Sequence, residues 1–451
     1  MSLWSGGRFD DGPADALWRF TVDTIDRRLL AVDVEGSLAH VRMLGSVGVL
    51  SVDEVEQIVG GLEQIAADAA DGTFDWHATD EDVHTAVERR LGELIGPLAG
   101  KLHTGRSRND QIALDLRLYL RGTATDRISQ LSGFVNVLVN QAKAAGDAVV
   151  PSYTHVQQAQ AVPFAHHLLA YAWMLVRDID RFSDLMRRLD VSPLGAGASG
   201  GSSLPLDPAK SAAELGMAAP FDNSMDAVGS RDLAAEYVWC ATQAMVHLSR
   251  LSEELILWCS SEFGWATFSD DFTTGSSAMP QKKNADIAEL VRGRSASVIG
   301  DLTAIVALQK GLPMTYNRDL QDDKRAVLHA DDTLAGSLEA LGGMVATASF
   351  HPPTPDSWVT ALDLAEALVE RGVPFREAHH VVGRLVSSLV PEGRTLADVG
   401  VEELVGFDER FVSGDLQRLD PVASVAFRQT AGGGSMDSVR LQIGALEERF
   451  G

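Results

Sequence analysis

The amino-acid sequence predicts an all-α protein organised around a long central helical bundle. Apolar residues recur at three- and four-residue intervals over long stretches, whereas the alternation typical of β-strands is nearly absent. The longest periodic stretches predict helices of about thirty residues, each roughly 45 Å long at 1.5 Å per residue, which exceeds the usual globular length. A central elongated bundle is therefore expected.

Four long helices are predicted from this periodicity. The clearest covers about 231–262, where apolar residues form two interleaved series with a spacing of seven. Such a seam resembles a coiled coil and predicts packing with a shallow crossing angle. Comparable runs predict helices at about 108–145, 157–190 and 285–310. The first series is Tyr237, Ala244, Leu251 and Trp258, and the second is Ala241, Leu248 and Leu255.

Glycine and proline positions divide the chain into three predicted regions. Residues 1–105 form an N-terminal helical domain, residues 106–355 the central helical-bundle domain, and residues 356–451 a C-terminal helical domain. Prolines at 352, 353 and 355 mark the second boundary. In the first region, breaks between shorter helices are expected at these glycines: Gly36, Gly48, Gly60, Gly61 and Gly72.

Composition favours a protein that handles small molecules. The chain of 451 residues is 45% hydrophobic and 22% charged, which is typical of a globular protein with a large core. Its formal net charge of −25 repels phosphate backbones and anionic lipid surfaces, and no local basic patch offsets it. Binding to nucleic acid or to a membrane is therefore not expected. An anionic substrate would need local positive charge inside this acidic shell.

Cysteine use and the N-terminus both bear on the cellular compartment. Cys240 and Cys259 share a helix-period segment, with a spacing that suits neither a zinc motif nor a disulfide framework, so buried, reduced thiols are expected. The N-terminal segment lacks the apolar core of a signal peptide, and the longest apolar-leaning run, 161–176, is interrupted by two histidines. A cytoplasmic location is expected.

Two segments imitate ligand-binding motifs and are rejected. The run from Gly195 to Gly200 matches the dinucleotide fingerprint G-x-G-x-x-G, but a charged helix end precedes it and Pro205 and Pro208 interrupt the helix that the fingerprint requires, so a tight interhelical turn is favoured. His84 and Glu88 share a helix face at i and i+4 without forming the two-histidine zinc pattern. Structural pairing is expected for them, and no metal site is predicted.

The segment 274–284, TGSSAMPQKKN, concentrates polar chemistry where there is almost nothing to bury. Gly275 and Pro280 indicate a loop, and the apolar-periodic run after it indicates a helix. Helix starts carry unpaired N–H groups and partial positive charge, so this Ser/Lys/Asn-rich loop suits a carboxylate or a developing anion. The alternative is a flexible basic surface loop.

Three more polar segments are candidate sites. Residues 104–111 place two arginines at a helix start, where they suit carboxylate recognition or only cap the helix. Residues 152–160 are expected to open another long helix after Pro151, with His155 as a candidate acid or base or a simple surface residue. Residues 312–324 offer Tyr316, Gln321 and Lys324 as hydrogen-bonding groups for a polar ligand, or form a solvated loop.

Together these segments resemble the fumarase/aspartase superfamily, and within it the argininosuccinate lyase family. The loop TGSSAMPQKKN resembles the superfamily signature. The argininosuccinate branch is indicated by six further segments, in order over most of residues 1–340. They are WSGGRF at 4–9, DEDVHTAVERRL at 80–91, GKLHTGRSRNDQ at 100–111, SYTHVQQAQ at 152–160, SPLGAGASGG at 192–201 and TYNRDLQDDK at 315–324.

The resemblance implies anti-elimination of L-argininosuccinate to L-arginine and fumarate, the last step of arginine biosynthesis, without cofactor or metal. It assigns the catalytic base to Ser276 in a mobile loop and the leaving-nitrogen side to His155, made more basic by Glu289. Which of Ser276 and His155 is base and which is acid stays open. Lys282 and Asn284 would stabilise the charged carboxylate. The substrate-binding residues implied are Ser107, Arg108, Asn109, Thr154, Ser277, Tyr316, Gln321 and Lys324.

The same resemblance implies a homotetramer of D2 symmetry with a twenty-helix core and active sites shared between three subunits. The heptad seam at 237–258 agrees in part with such an assembly, because its apolar face is longer than the terminal regions of one chain can easily cover. One departure is Val22, where the family usually has a serine four residues before Asp26. This departure leaves a related fumarate-forming lyase acting on another N-substituted aspartate as an alternative. A crystallin-like non-catalytic relative is a second alternative, against which the retained Ser276, Lys282 and His155 argue.

Overall fold

The computed structural model describes residues 14–451, and the segment WSGGRF lies outside them. The all-α prediction is confirmed for the described residues. The helices are α1 Asp15–Thr21, α2 Leu30–Ser46, α3 Val52–Ala70, α4 Val83–Ile95, α5 Arg108–Ala144, α6 Phe164–Leu189, α7 Pro208–Glu214, α8 Ser224–Gly229, α9 Asp232–Trp258, α10 Asp286–Gln309, α11 Asp323–Ala346, α12 Ala361–Glu370, α13 Phe375–Leu389, α14 Val401–Phe407, α15 Pro421–Ser424 and α16 Met436–Phe450.

Short strands and 3-10 turns connect these helices. The strands pair two by two: β1 with β2, β5 with β8 and β6 with β7 antiparallel, and β3 with β4 parallel. They are β1 Val149–Thr154, β2 Gln157–Pro163, β3 Val191–Ser192, β4 Ala219–Pro220, β5 Ala266–Thr267, β6 Thr274–Gly275, β7 Lys283–Asn284 and β8 Ser349–Phe350. The 3-10 turns are Thr24–Leu29, Gly96–Lys101, Asp270–Phe272, Arg318–Asp322, Ser357–Thr360, Val390–Glu392, Leu396–Asp398, Ser413–Leu419 and Val425–Phe427.

The four long predicted helices correspond to α5, α6, α9 and α10. One start is wrong: the helix predicted from 157 begins at Phe164, because 149–163 forms the β1–β2 hairpin. Ser152 Oγ both accepts from the Gln160 N–H, at 3.1 Å, and donates to the Gln160 carbonyl, at 3.0 Å, which holds the two strands together. His155 therefore lies in a hairpin turn and not at a helix start.

The heptad seam of α9 is confirmed as a packing surface. The expectation that one chain leaves part of this seam uncovered for a second subunit is wrong. All seven members of the two series are at most 4% exposed within this chain. The face is therefore already covered, and it offers no apolar surface to a second copy.

The chain divides into two compact units. In its described part, the first comprises residues 14–126, 181–242 and 298–332. Its main core lies among α2, α3 and α4. Cys240, in this unit, is buried, as predicted.

Three of the predicted glycine breaks in the first region are wrong. Gly36 lies inside α2, and Gly60 and Gly61 lie inside α3. Two of these glycines allow close packing between helices. A Cβ on Gly36 would lie 2.8 Å from Leu114 Cδ2, and one on Gly61 would lie 2.5 Å from Leu91 Cδ1.

The second unit comprises residues 127–180, 243–297 and 333–451. Its C-terminal core gathers apolar side chains of α12, α13 and α14. Cys259, in this unit, is a half-buried free thiol. No helix among residues 14–451 is long and apolar enough to span a lipid bilayer. The division into three domains at 105 and 355 stays a prediction.

Candidate active-site segments

In the first unit, five of the predicted substrate-binding residues line one cavity of about 160 Å³. They come from two parts of the sequence, the start of α5 and the turn before α11. Val22, the departure noted in the sequence, ends α1 and does not line this cavity, whereas its neighbour Asp23 does. The five residues are Arg108, Asn109, Tyr316, Gln321 and Lys324.

The start of α5 is fixed by a buried carboxylate that sequence reasoning missed. Asp110 Oδ2 accepts from the backbone N–H of Gly195 at 3.1 Å and of Gly197 at 2.9 Å, and its Oδ1 accepts from the Ser107 N–H at 2.9 Å. Asn109 Nδ2 adds a bond of 2.9 Å to the carbonyl of Ala198. The glycine-rich turn therefore serves as a clamp on this helix start, which agrees with the predicted interhelical turn.

The polar residues that open α5 also have structural partners. Ser107 Oγ accepts from the Asn109 N–H at 3.2 Å, so the capping role named as an alternative is realised. Arg108 Nη1 donates to Glu88 Oε1 at 3.1 Å and to Gln111 Oε1 at 3.2 Å. These bonds hold the Arg108 guanidinium against the cavity wall.

On the other side of the cavity, the 315–324 segment has its own supports. Lys324 is buried, and its Nζ donates to Asp323 Oδ1 at 3.2 Å, while Asp323 Oδ2 accepts from Arg231 Nε at 2.5 Å. Gln321 Nε2 donates to the carbonyl of Thr21 at 3.1 Å. Burial raises the pKa of Tyr316, so its hydroxyl remains a donor at neutral pH.

Four carboxylates of the cavity wall, Asp23, Asp26, Glu81 and Asp82, were not predicted as site residues. Burial raises the pKa of Asp26 to about 6. Burial and the adjacent Asp82 charge raise the pKa of Glu81 to about 7. Burial raises the pKa of Asp82, but the positive charges of His84 and Arg108 lower it by more, so the net pKa of Asp82 is below its usual value. For Glu81 and Asp82 the motif DEDVH carried a signal, because it places three acids beside a helix start.

Beneath the cavity lies a buried histidine–carboxylate cluster. His84 Nδ1 is 2.8 Å from Asp33 Oδ1 and 3.6 Å from Asp115 Oδ2. The predicted pairing of His84 with Glu88 is therefore wrong, since Glu88 contacts Arg108 instead. The two residues share a face of α4, but His84 contacts carboxylates of α2 and α5, whereas Glu88 contacts the Arg108 guanidinium.

The two carboxyls of this cluster have pKa values shifted in opposite directions. Burial and the Asp33 charge raise the pKa of Asp115 well above its usual range. The pKa of Asp33 is lowered to about 2 because His84, Arg106 and a bond from Gln111 outweigh its burial. The contacts of His84 with Asp33 and Asp115 join α4 to α2 and α5.

In the second unit, the serine-rich loop is a short hairpin. Thr274 and Gly275 pair with Asn284 and Lys283, and the loop between them leads into α10 as predicted. Ser276 Oγ accepts from two backbone N–H groups, of Ala278 at 3.3 Å and Met279 at 3.1 Å.

The loop also presents its other predicted site residues to solvent. The described residues provide no side-chain partner for the Lys282 ammonium. Ser276 and Asn284 are half-buried, while Ser277 and Lys282 are exposed.

The turn of the β1–β2 hairpin is strained and exposed. His155 and Val156 have φ of 54° and 60°, in the left-handed region that a β-branched residue adopts only at a cost. Val156 is 81% exposed, and His155 and Thr154 are also exposed. Such strain is typical of functional turns, so the observation favours a role for this tip.

Glu289, predicted to support His155, lies exposed near the start of α10. Within residues 14–451 no hydrogen bond or ion pair joins its carboxylate to His155. Any contact between the two must therefore involve a second copy of the chain or a rearrangement.

Comparison with known proteins defines the class first. Residues 7–300 match the family described as Lyase, and residues 358–426 match the family described as Argininosuccinate lyase C-terminal. The structure of class II fumarase from Schistosoma mansoni shares the fold, with a TM-score of 0.75 over 95% of each chain and 16% identity. The class is therefore that of the lyases with the fumarase fold.

Closer relatives define the family. The argininosuccinate lyase of Acidothermus cellulolyticus is 48% identical over 98% of this chain and 93% of its own. EDDS lyase, crystallised in complex with formate, is 28% identical with a TM-score of 0.82, over 96% of this chain and 88% of its own. The chain belongs to the argininosuccinate lyase family, which confirms the resemblance read from its motifs.

Proposed function

We propose that this protein cleaves L-argininosuccinate to L-arginine and fumarate. A base removes a proton from the carbon next to a succinyl carboxylate, and the electron pair left behind is delocalised onto that carboxylate. The pair then forms the fumarate double bond as the carbon–nitrogen bond breaks. A proton goes to the departing guanidino nitrogen, so atoms and charge balance.

The surroundings of Ser276 carry this proposal. Its Oγ accepts from two backbone N–H groups, at 3.1 and 3.3 Å, and no acceptor within residues 14–451 takes its own O–H. Hydrogen bonds to the deprotonated form favour ionisation, so Ser276 is suited to act as the base. His155 then protonates the leaving nitrogen, with Lys282 and Asn284 stabilising the dianionic carboxylate. The exchange of roles between Ser276 and His155 remains the alternative.

The test of the reaction is direct. We expect argininosuccinate to yield fumarate, followed by absorbance, and Ser276→Ala to lower kcat by about a hundredfold or more. Ser387→Ala, on an exposed position of α13, is the matched control and should keep full activity. Absence of fumarate from a folded wild-type protein would refute the assignment.

A second candidate is a lyase that acts on a different N-substituted aspartate. Val22 in place of the usual serine and the structural likeness to EDDS lyase favour it. The same assay separates the two, because a higher kcat/KM with EDDS than with argininosuccinate would support the second candidate. A crystallin-like relative without activity would release no fumarate from either compound.

The active assembly that we propose is a homotetramer with active sites shared between three subunits. The reaction needs a site from which water is excluded, so its catalytic groups must be covered. In one chain these groups are all exposed: Thr154, His155, Lys282 and Glu289. A second copy of the chain would cover them. A cytoplasmic location remains the prediction made from the sequence.

Helix α10 is the surface that we propose for this contact. Apart from Glu289 and Arg292 near its start, one broad face of this 24-residue helix is exposed although it is apolar or small in character. Small side chains let helices approach closely, so this face suits a partner helix. The exposed residues are Leu290, Gly293, Ala296, Ser297, Ile299, Gly300, Thr303, Ala304, Val306 and Ala307.

Gly300→Arg tests the assembly. In one chain a Cβ at Gly300 meets nothing within 4 Å, so the monomer tolerates the change, whereas a close helix contact would not. We expect smaller species by light scattering and loss of turnover. Gly383→Arg in α13, equally open, is the control and should leave the assembly intact. An unchanged tetramer with Gly300→Arg would refute this interface.

A further inference from the structure

The cavity of the first unit has an imbalance between its charges. Ion pairs within 4.0 Å reach three of its four wall aspartates and glutamates: Asp23 with Arg325, Glu81 with Arg318 and Asp82 with Arg108. Among the described residues Asp26 has no Lys or Arg within that distance. It is nevertheless buried, at 8% relative exposure.

Asp26 has one oxygen to spare. Its Oδ2 accepts from the Val83 N–H at 3.2 Å, and the described residues offer no hydrogen-bond donor to Oδ1. A carboxylate oxygen that lines a cavity and has no donor within the protein is free to accept a hydrogen bond from a ligand. Because Asp26 lines the cavity, a donor placed there by the substrate would bond to this oxygen.

Glu81 is the second under-compensated group. Its ion pair with Arg318, at 3.7 Å, is a loose contact, and the adjacent Asp82 repels its charge. The raised pKa values of Asp26 and Glu81 agree with this geometry, since burial outweighs the nearby positive charges at both carboxylates. Lys324, on the same wall, already has Asp323 as its partner.

We propose that Asp26 and Glu81 bind a cationic nitrogen of the arginine half of the substrate and thereby select the amine. The inference rests on the proposed function and goes beyond it by naming the groups that recognise the leaving molecule. Two groups of arginine share this chemistry, the guanidinium and the α-ammonium. Both donate several N–H bonds to a carboxylate, and either would supply the donor that Asp26 Oδ1 lacks.

Product analogues separate these two sources. Citrulline carries a neutral ureido group in place of the guanidinium, and argininic acid carries a hydroxyl in place of the α-ammonium. Their inhibition constants, divided by that of arginine, measure how much each cation contributes to binding. A ratio well above one in the wild type identifies the cation that the site recognises.

The decisive variants are Asp26→Asn and Glu81→Gln. Asparagine keeps an oxygen for the Val83 N–H, and Glu81 is only half-buried, so both variants should fold. For the analogue that lacks the recognised cation, the inhibition constant divided by that of arginine should fall about tenfold in each variant. A change of this size corresponds to the loss of one charge-assisted hydrogen bond. The inhibition constant of fumarate should stay within about twofold, because fumarate has no cation.

Glu56→Gln, an exposed change on α3, is the control and should alter neither ratio. Unchanged ratios for both analogues in both cavity variants would overturn the proposal and leave Asp26 a purely structural acceptor. A wild-type protein that releases no fumarate would refute the proposed function instead. In that case calorimetric Kd values for the same three compounds and variants decide this proposal independently.

Discussion

The carboxylate of Asp110 accepts a hydrogen bond from the backbone N–H of Gly197 at 2.9 Å, which joins the start of α5 to the glycine-rich turn. The predicted substrate-binding residues Ser107, Arg108 and Asn109 directly precede Asp110. Their positions therefore depend on this buried acceptor.

Asp110→Asn should weaken both the fold and the site. The amide presents an N–H₂ group to at least one backbone donor, so a buried N–H loses its acceptor. We expect a loss of about 1–3 kcal/mol in unfolding free energy, measured with urea, together with a lower kcat/KM. Asp71→Asn, at an exposed helix end, should change neither quantity. Wild-type stability in Asp110→Asn would contradict the clamp.

Gly197→Ala should destabilise the same turn from its other side. Gly197 has φ of 61°, and a Cβ there would lie 2.7 Å from the carbonyl oxygen of Gly201. We expect a loss of about 2 kcal/mol or more in thermal or urea unfolding. Gly200→Ala offers a close control, since nothing lies within 4 Å of its Cβ position. Equal stability of the two variants would show that the turn can relax.

Val156→Asn should relieve strain in the hairpin turn. Asparagine adopts the left-handed conformation more readily than valine, and Val156 loses little burial at 81% exposure. We expect a gain of about 1 kcal/mol in unfolding free energy at fixed subunit concentration. Val405→Asn, on a regular helix, should bring no gain. A destabilised Val156→Asn variant would indicate that the valine side chain is buried in the assembled protein.

Arginine binding should strengthen as pH rises through the pKa values of Asp26 and Glu81, about 6 and about 7. A cation is attracted only by the ionised carboxylates, which predominate above those values. The inhibition constant of arginine should therefore fall between about pH 5.5 and pH 8. The double variant Asp26→Asn, Glu81→Gln should show a flat profile, and a fall that persists there would assign the effect to other groups. Other charged groups that face these carboxylates are His84, Asp82, Lys324, Arg108 and Arg318.

Local patterns were sufficient for the helices because periodicity and caps act over a few residues. The helix predicted at 108–145 agrees with the observed bounds of α5, Arg108–Ala144, to within one residue. The same reasoning failed at 152–160, where polar residues without periodicity pair as a hairpin. It also failed at Gly36 and Gly61, since a glycine that breaks an isolated helix is favoured where another side chain packs against the helix.

The site was predicted by motif and not by geometry. Spacing alone left each polar segment open between binding and a solvated loop, and the combination of segments identified the family. Asp26 and Glu81 were missed because an acid acquires an unusual role only through burial and unmatched charge. Neither quantity is visible in a linear sequence.

The sequence by itself determined the all-α class, the four long helices and the lyase family, because these rest on short-range periodicity and on motifs preserved as residue strings. Only the tertiary structure decided which surfaces are covered and which charges lack a partner. It buried the α9 seam, left a face of α10 exposed, and set Asp26 in a cavity where, among the described residues, no Lys or Arg pairs with it within 4.0 Å. Burial and charge compensation are properties of contacts between distant residues, so they arise only when the chain has folded.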